Sequence, residues 1–242
     1  MSENDIASST PSGTAVPPTT DGARVTLWWL PVGAGGHVVI HTSRWWEAYH
    51  AHRERRRPRP LFHAALEVHP EPGTRYVIEM APAWGQHTAT RGVVTTGPVG
   101  LRCLGRSQLF RYEIRCWRDG TIPDQHLAPE PPTLFPLSPL VAQTLVAQVA
   151  DVPRHTWGRD TFGTGDMWNS NSVISWLLHT SGIETADLTP PHGGYAPGWG
   201  AGITAARATR SGTRRPRARR PNRSAHPDRL GREASGEGSR WQ

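Results

Sequence analysis

Three short stretches carry residue types that can do chemistry. The first is MWNSNSVISWLL, residues 167–178. Two asparagines and two serines stand at the start of an apolar run with helical spacing. Asparagine and serine are preferred helix caps. One cap uses one such residue, however, so Asn169 and Asn171 exceed what capping needs. Ser170 would lie at the helix start, where the dipole and free N–H groups favour a nucleophile's anion or a developing oxyanion. The second stretch is LFHAALEV, residues 61–68. As a strand it puts His63, Ala65 and Glu67 on one face and Phe62, Ala64, Leu66 and Val68 on the other. A histidine among small residues leaves room for something to approach it. The third is RYVIEM, residues 75–80. Its Glu79 is a carboxylate in an otherwise apolar strand, and accepting the second ring N–H of an imidazole would fix that ring's tautomer.

Taken together these residues predict Ser170 as nucleophile, His63 as base and Glu79 as the group that orients it. Asn169 or a helix-start N–H would be the oxyanion donor. Asn169, Asn171, Trp157 and Trp168 would line a binding pocket. Each residue also has a structural reading: a cap, a core histidine, an outward strand glutamate. Asparagine side chains pair a donor with an acceptor and can hold a peptide or a sugar. The expected ligand is therefore a small molecule, a peptide or a lipid.

The elements that must position these groups are short. ARVTLWW and HVVIHTS flank the Gly-rich turn GAGG and read as a hairpin, and RWWEAYHAH (44–52) reads as a short helix. LFHAALEV and RYVIEM are separated by the turn sequence HPEPGT and read as a strand pair. RGVVTTG and VGLRCLG are further strand candidates. In SQLFRYEIRCW (107–117) Phe110, Tyr112, Ile114 and Cys116 alternate with Arg111, Glu113 and Arg115, which predicts one buried face and one wet face. The proline-rich stretch 127–139 reads as a connector. Ser138 and Pro139 open a helix that Pro153 stops. The run after Asn169 is a second helix, with Gly182 at its C-cap position. The fold class is thus α+β, a small antiparallel sheet packed against a few helices.

Composition sets the limits. The chain has 242 residues and a formal charge of +7. Residues 207–242 hold 11 Arg and 3 acidic residues, and residues 1–206 hold 16 Arg and 17 acidic residues. The excess charge therefore belongs to the C-terminal stretch and does not describe the body's ligand. Three segments are expected: a disordered lead-in over 1–22, a single domain over 23–204, and a disordered Arg-rich tail over 205–242. The tail could attract nucleic acid or another polyanion by salt-sensitive phosphate contacts. The N-terminus lacks the pattern of a secretion signal and no apolar run is long enough to span a membrane, which predicts a cytoplasmic protein. Cys103 and Cys116 are two cysteines in expected strands, read as small buried residues rather than a disulfide framework. No metal cluster or cofactor motif is expected. GAGG lacks a phosphate-loop ending, and His50 and His52 lack a second ligand pair.

A strand histidine, then a second polar strand residue, then a helix-start nucleophile is the residue order of circularly permuted papain-like hydrolases. That group includes permuted NlpC-type peptidases, lecithin retinol acyltransferase relatives and PPPDE deubiquitinating peptidases. WNSNSVISWLL resembles their nucleophile helix, with Ser170 where the cysteine would be, and LFHAALEV resembles their histidine strand. The set LFHAALEV, YVIEM, WGRD and MWNSNS also resembles a group of actinobacterial proteins of unassigned function. The resemblance covers roughly residues 61–182. It implies a papain-like pocket and a hydrolase or acyltransferase acting on an amide or ester. A serine hydroxyl ionises far less readily than a thiol and needs a base in direct contact. The departure at Ser170 therefore leaves a second expectation, a non-catalytic binding or structural domain of the same fold.

Overall fold

The computed structural model describes residues 22–32, 51–53, 55–83 and 92–213. Within them lie six antiparallel strands: β1 (Arg24–Pro31), β2 (Phe62–Glu71), β3 (Thr74–Pro82), β4 (Val93–Pro98), β5 (Arg111–Arg118) and β6 (Thr133–Pro136). They form one sheet in the order β4-β5-β3-β2-β1-β6. Three α-helices follow: α1 (Pro139–Gln148), α2 (Ser170–Thr180) and α3 (Trp199–Thr213). The fold is α+β, as the alternation of short strands and late helices predicts. No helix among the described residues is long and apolar enough to cross a membrane.

The main core lies between one sheet face and the helices. Phe62, Ala64, Leu66 and Val68 of β2 meet Val173, Ile174 and Leu177 of α2 and Ala142 and Leu145 of α1 there. The spacing of these apolar residues, two along a strand and three to four along a helix, is what makes each element one-sided. A second, smaller core lies on the opposite face, built on Leu30, Ala65, Val77 and Ile122. The sheet is therefore covered on both sides at its centre.

The ends of elements follow local rules. Ser138 Oγ accepts from Val141 N and Pro139 opens α1. Gly182 follows α2 at φ +85°, a value glycine adopts without the Cβ clash. Between α2 and α3 the backbones touch: a Cβ on Gly202 would lie 2.1 Å from the Ser172 carbonyl oxygen. Ser175 Oγ donates to Trp199 O across the same seam at 2.8 Å.

Several expectations are corrected. VGLRCLG is not a strand; Gly100 turns the chain at φ +72°, and Arg102–Arg106 is a 3-10 turn that exposes Cys103. SQLFRYEIRCW becomes a strand only from Arg111. The proline-rich connector contains β6, which pairs with β1 at the sheet edge, where Pro136 tolerates its missing donor. The expected tail does not begin at Ala205. α3 continues to Thr213, with Ala205 and Ala206 buried in the main core by helical spacing. GAGG, residues 44–50 of the helix expected over 44–52, His37, Trp84, residues 1–21 and residues 214–242 lie outside the described residues.

Candidate functional site

Asn169 is the N-cap of α2. Its Oδ1 accepts from Asn171 N and Ser172 N, while Ser172 Oγ accepts from Asn169 N, a reciprocal capping box. The same side chains then reach outward. Asn169 Nδ2 donates to Pro197 O at 2.7 Å, and Ser172 Oγ donates to Gly198 O at 2.7 Å. The helix start is thereby fastened to the segment that leads into α3.

Asn171 does something further. Strands β2 and β3 pair from Leu66 with Ile78 to Glu71 with Thr74, whereas β1 follows β2 down to Phe62. The β3-facing edge of β2 is thus left open around residues 62–64. Asn171 fills it: Oδ1 accepts from Ala64 N at 2.8 Å and Nδ2 donates to Phe62 O at 2.9 Å. A carboxamide has the donor and acceptor of a peptide group, so this side chain stands in for the missing strand. Nδ2 also donates to Pro197 O at 2.8 Å. Next to it, Phe62 N donates to Tyr195 O. Both N–H donors and one of the two acceptor lone pairs are thereby used on the backbone.

Ser170 is buried at the first turn of α2, and its hydroxyl makes no hydrogen bond among the described residues. His63 lies elsewhere. It is paired with Leu30 across β1, and Leu30 belongs to the second core. Directly paired residues share a face, so His63 leaves β2 on the side away from α2. Glu79 is on that second face too, but its carboxylate does not orient the imidazole. Glu79 Oε1 accepts from Arg115 Nη1 at 3.0 Å. The proposed role of Glu79 is corrected for this reason: the carboxylate is already held by a full positive charge. Trp168 is buried in the main core and Trp157 is half-buried against Tyr112.

The wet face expected for β5 is dry at Glu113 and Arg115, while Arg111 is half-buried. Glu113 and Arg115 are 5% and 3% exposed. Arg115 Nε and Nη2 both donate to Glu113 Oε2, at 3.1 and 3.0 Å. Arg115 thus joins two carboxylates from adjacent strands. Burial pushes the Glu79 carboxyl up, and Arg115 pulls it partly back. Further along the same face Glu67 Oε1 accepts from Arg75 and from Gln125. The residues missed by sequence reading are Arg115, Glu113, Glu67 and Trp28. The signal was present: three successive strand segments each carry a charge on the same register of alternation, which is the pattern of cross-strand ion pairs.

His63 stays out of this network. It retains some solvent contact while protein surrounds it, and burial holds its pKa down to about 4, with the Asp124 charge drawing it slightly back. The imidazole is therefore neutral at pH 7 and makes no hydrogen bond among the described residues. Trp28, paired with Ala65 on the same face, has a buried indole N–H without a partner. The face thus carries one buried N–H without a partner and one imidazole that bonds to no described residue.

The low His63 pKa has a thermodynamic consequence. The unfolded chain binds a proton near pH 6.5 that the folded chain refuses until about 4. Stability from this group is full above pH 6.5 and is lost as pH falls toward 4, by about 2–3 kcal/mol after allowance for its residual solvent contact. The difference between the wild type and His63→Gln, measured by urea unfolding across that window, isolates the effect from Glu79, whose sign is opposite. A pH-independent difference would contradict it.

Comparison with family models, with curated proteins and with solved structures returns no match.

Proposed function

We propose that this chain is a binding domain rather than a hydrolase. Its Asn-Ser stretch serves as internal scaffold, and its ligand-facing group is His63. The observation that carries this reading is the separation of the three catalytic candidates. Ser170 opens the helix on one sheet face, His63 leaves the other, and Glu79 is bound to Arg115. A serine nucleophile needs its base within hydrogen-bond reach. The unpartnered imidazole favours a polar ligand. Glu67, Glu79 and Glu113 on the same face are already paired with arginine, and the neutral histidine supplies one donor and one acceptor. On the papain-like resemblance, the domain is a relative that kept the helix-start asparagines for structure and gave up the thiol.

A fluorophosphonate probe tests this. It should label the intact protein no more than the Ser170→Ala variant. Labelling mapped to Ser170 and abolished by that substitution would overturn the binding reading in favour of an acyl-transfer enzyme.

A further inference from the structure

The segment from Gly100 to Phe110 is a loop whose neck is closed and whose body is outside the fold. Val99 N donates to Phe110 O at 2.8 Å, so the two ends meet. Gly100 N donates to Trp157 O, and Arg159 Nε donates to Gly100 O at 2.8 Å. The neck is thus held by three bonds. Beyond it, the 3-10 turns Arg102–Arg106 and Gln108–Phe110 bury none of their residues. Leu101, Leu104, Leu109 and Phe110 are 46%, 36%, 66% and 43% exposed. A monomer seldom presents four large apolar side chains on one short loop without a partner for them.

The charge along the loop itself has one sign. No acidic residue occurs from Gly92 to Tyr112, whereas Arg102, Arg106 and Arg111 do. Arg102 and Arg106 are exposed and make no ion pair among the described residues. Arg159 adds a further cation at the neck. Asp160, next to Arg159, accepts from the backbone N–H groups of Phe162, Thr164 and Gly165 in its own loop, and Glu113, three residues beyond Phe110, is held by Arg115.

We infer that this loop docks on an anionic lipid surface, its leucines and Phe110 entering the headgroup–acyl boundary while its arginines meet lipid phosphates and carboxylates. Shape supports a lipid over a protein. Almost every residue of the loop is exposed, so a protein would need a hollow matched to it, whereas a lipid interface accepts any protruding apolar group. Charge supports lipid over a second copy of the chain, because two such loops repel. A nucleic acid would neutralise the arginines but leave Leu109 and Phe110 in water. An apolar insertion combined with basic residues is the two-signal arrangement that peripheral binding requires.

The test uses the full chain and vesicles of phosphatidylcholine alone or mixed with phosphatidylserine. Cys103 sits on the loop and is exposed, while the half-buried Cys116 thiol is pushed up to about 11, so a polarity-sensitive maleimide dye at neutral pH reports on the loop. The wild type should co-sediment with the mixed vesicles, more weakly as salt is raised, and the dye emission should shift to the blue. Leu109→Ser/Phe110→Ser, which keeps every charge, should bind about tenfold more weakly or worse. Arg102→Gln/Arg106→Gln should reduce binding to mixed vesicles alone. Unchanged binding by the serine double variant, or binding without a dye shift, would assign the attraction to the tail and overturn the proposal. So would equal binding to both vesicle types. A dye shift caused by self-association, or by polyglutamate in place of vesicles, would assign the loop to a protein partner and overturn it as well.

Discussion

Replacing Asn171 with leucine should destabilise the protein by about 2–6 kcal/mol, although leucine is close to asparagine in shape. The reason is the two backbone groups that only this side chain satisfies. Ala64 N and Phe62 O lie where β3 has already parted from β2, and each bonds to the Asn171 carboxamide. A buried backbone group left without a partner costs about 1–3 kcal/mol. Pro197 O is spared, because Asn169 Nδ2 also donates to it. Ser170→Ala, one residue away, removes a hydroxyl that holds nothing together and should change stability by no more than about 0.5 kcal/mol. Urea unfolding of the two variants side by side checks the contrast. Similar losses for both would mean that the helix start is held by something other than the asparagine amide.

Arg115→Leu should be comparably severe, at about 3–5 kcal/mol, because it leaves Glu79 and Glu113 buried on adjacent strands with no cation. The pH dependence has a defined sign. Burial already raises the Glu79 carboxyl above its unfolded value, and Arg115 opposes that rise. Without the arginine the folded pKa moves further up. The variant's deficit should therefore be smallest below the unfolded pKa, where the carboxyl is protonated in both states. It should grow as pH rises through the folded pKa. Adding Glu79→Gln and Glu113→Gln to Arg115→Leu should recover most of the loss, since a neutral set has no charge to bury. A deficit that is constant from pH 4 to pH 7 would show that the ion pairs are not its source.

What could be read from the sequence depended on whether the signal was local. Helix starts were legible at Ser138 and Asn169, because a cap acts on residues two and three positions away. The strands LFHAALEV and RYVIEM were legible for the same reason: alternation needs no partner. The arginine at position 115 was legible as a strand residue but not as a buried one. Its exposure depends on which layer covers the second sheet face, and Leu30 and Ala65 come from distant parts of the chain. VGLRCLG and the start of SQLFRYEIRCW looked like parts of two strands because each is a short apolar run. Gly100 at positive φ and the bond from Val99 N to Phe110 O closed the chain into a loop instead. The surplus of asparagine at the helix start was correctly seen as more than a cap. Its use, completing an open strand edge over one hundred residues away, was beyond any local pattern.

The central claim is that His63 and Ser170 do not form one site. The most direct measurement is the NMR titration of the His63 ring in the wild type and in Ser170→Ala. The account predicts the same tautomer, the same ring shifts at pH 7, and a protonation midpoint near 4 in both proteins. A His63 signal that moves when the Ser170 hydroxyl is removed, or a hydrogen-bonded ring N–H whose exchange depends on that hydroxyl, would contradict it.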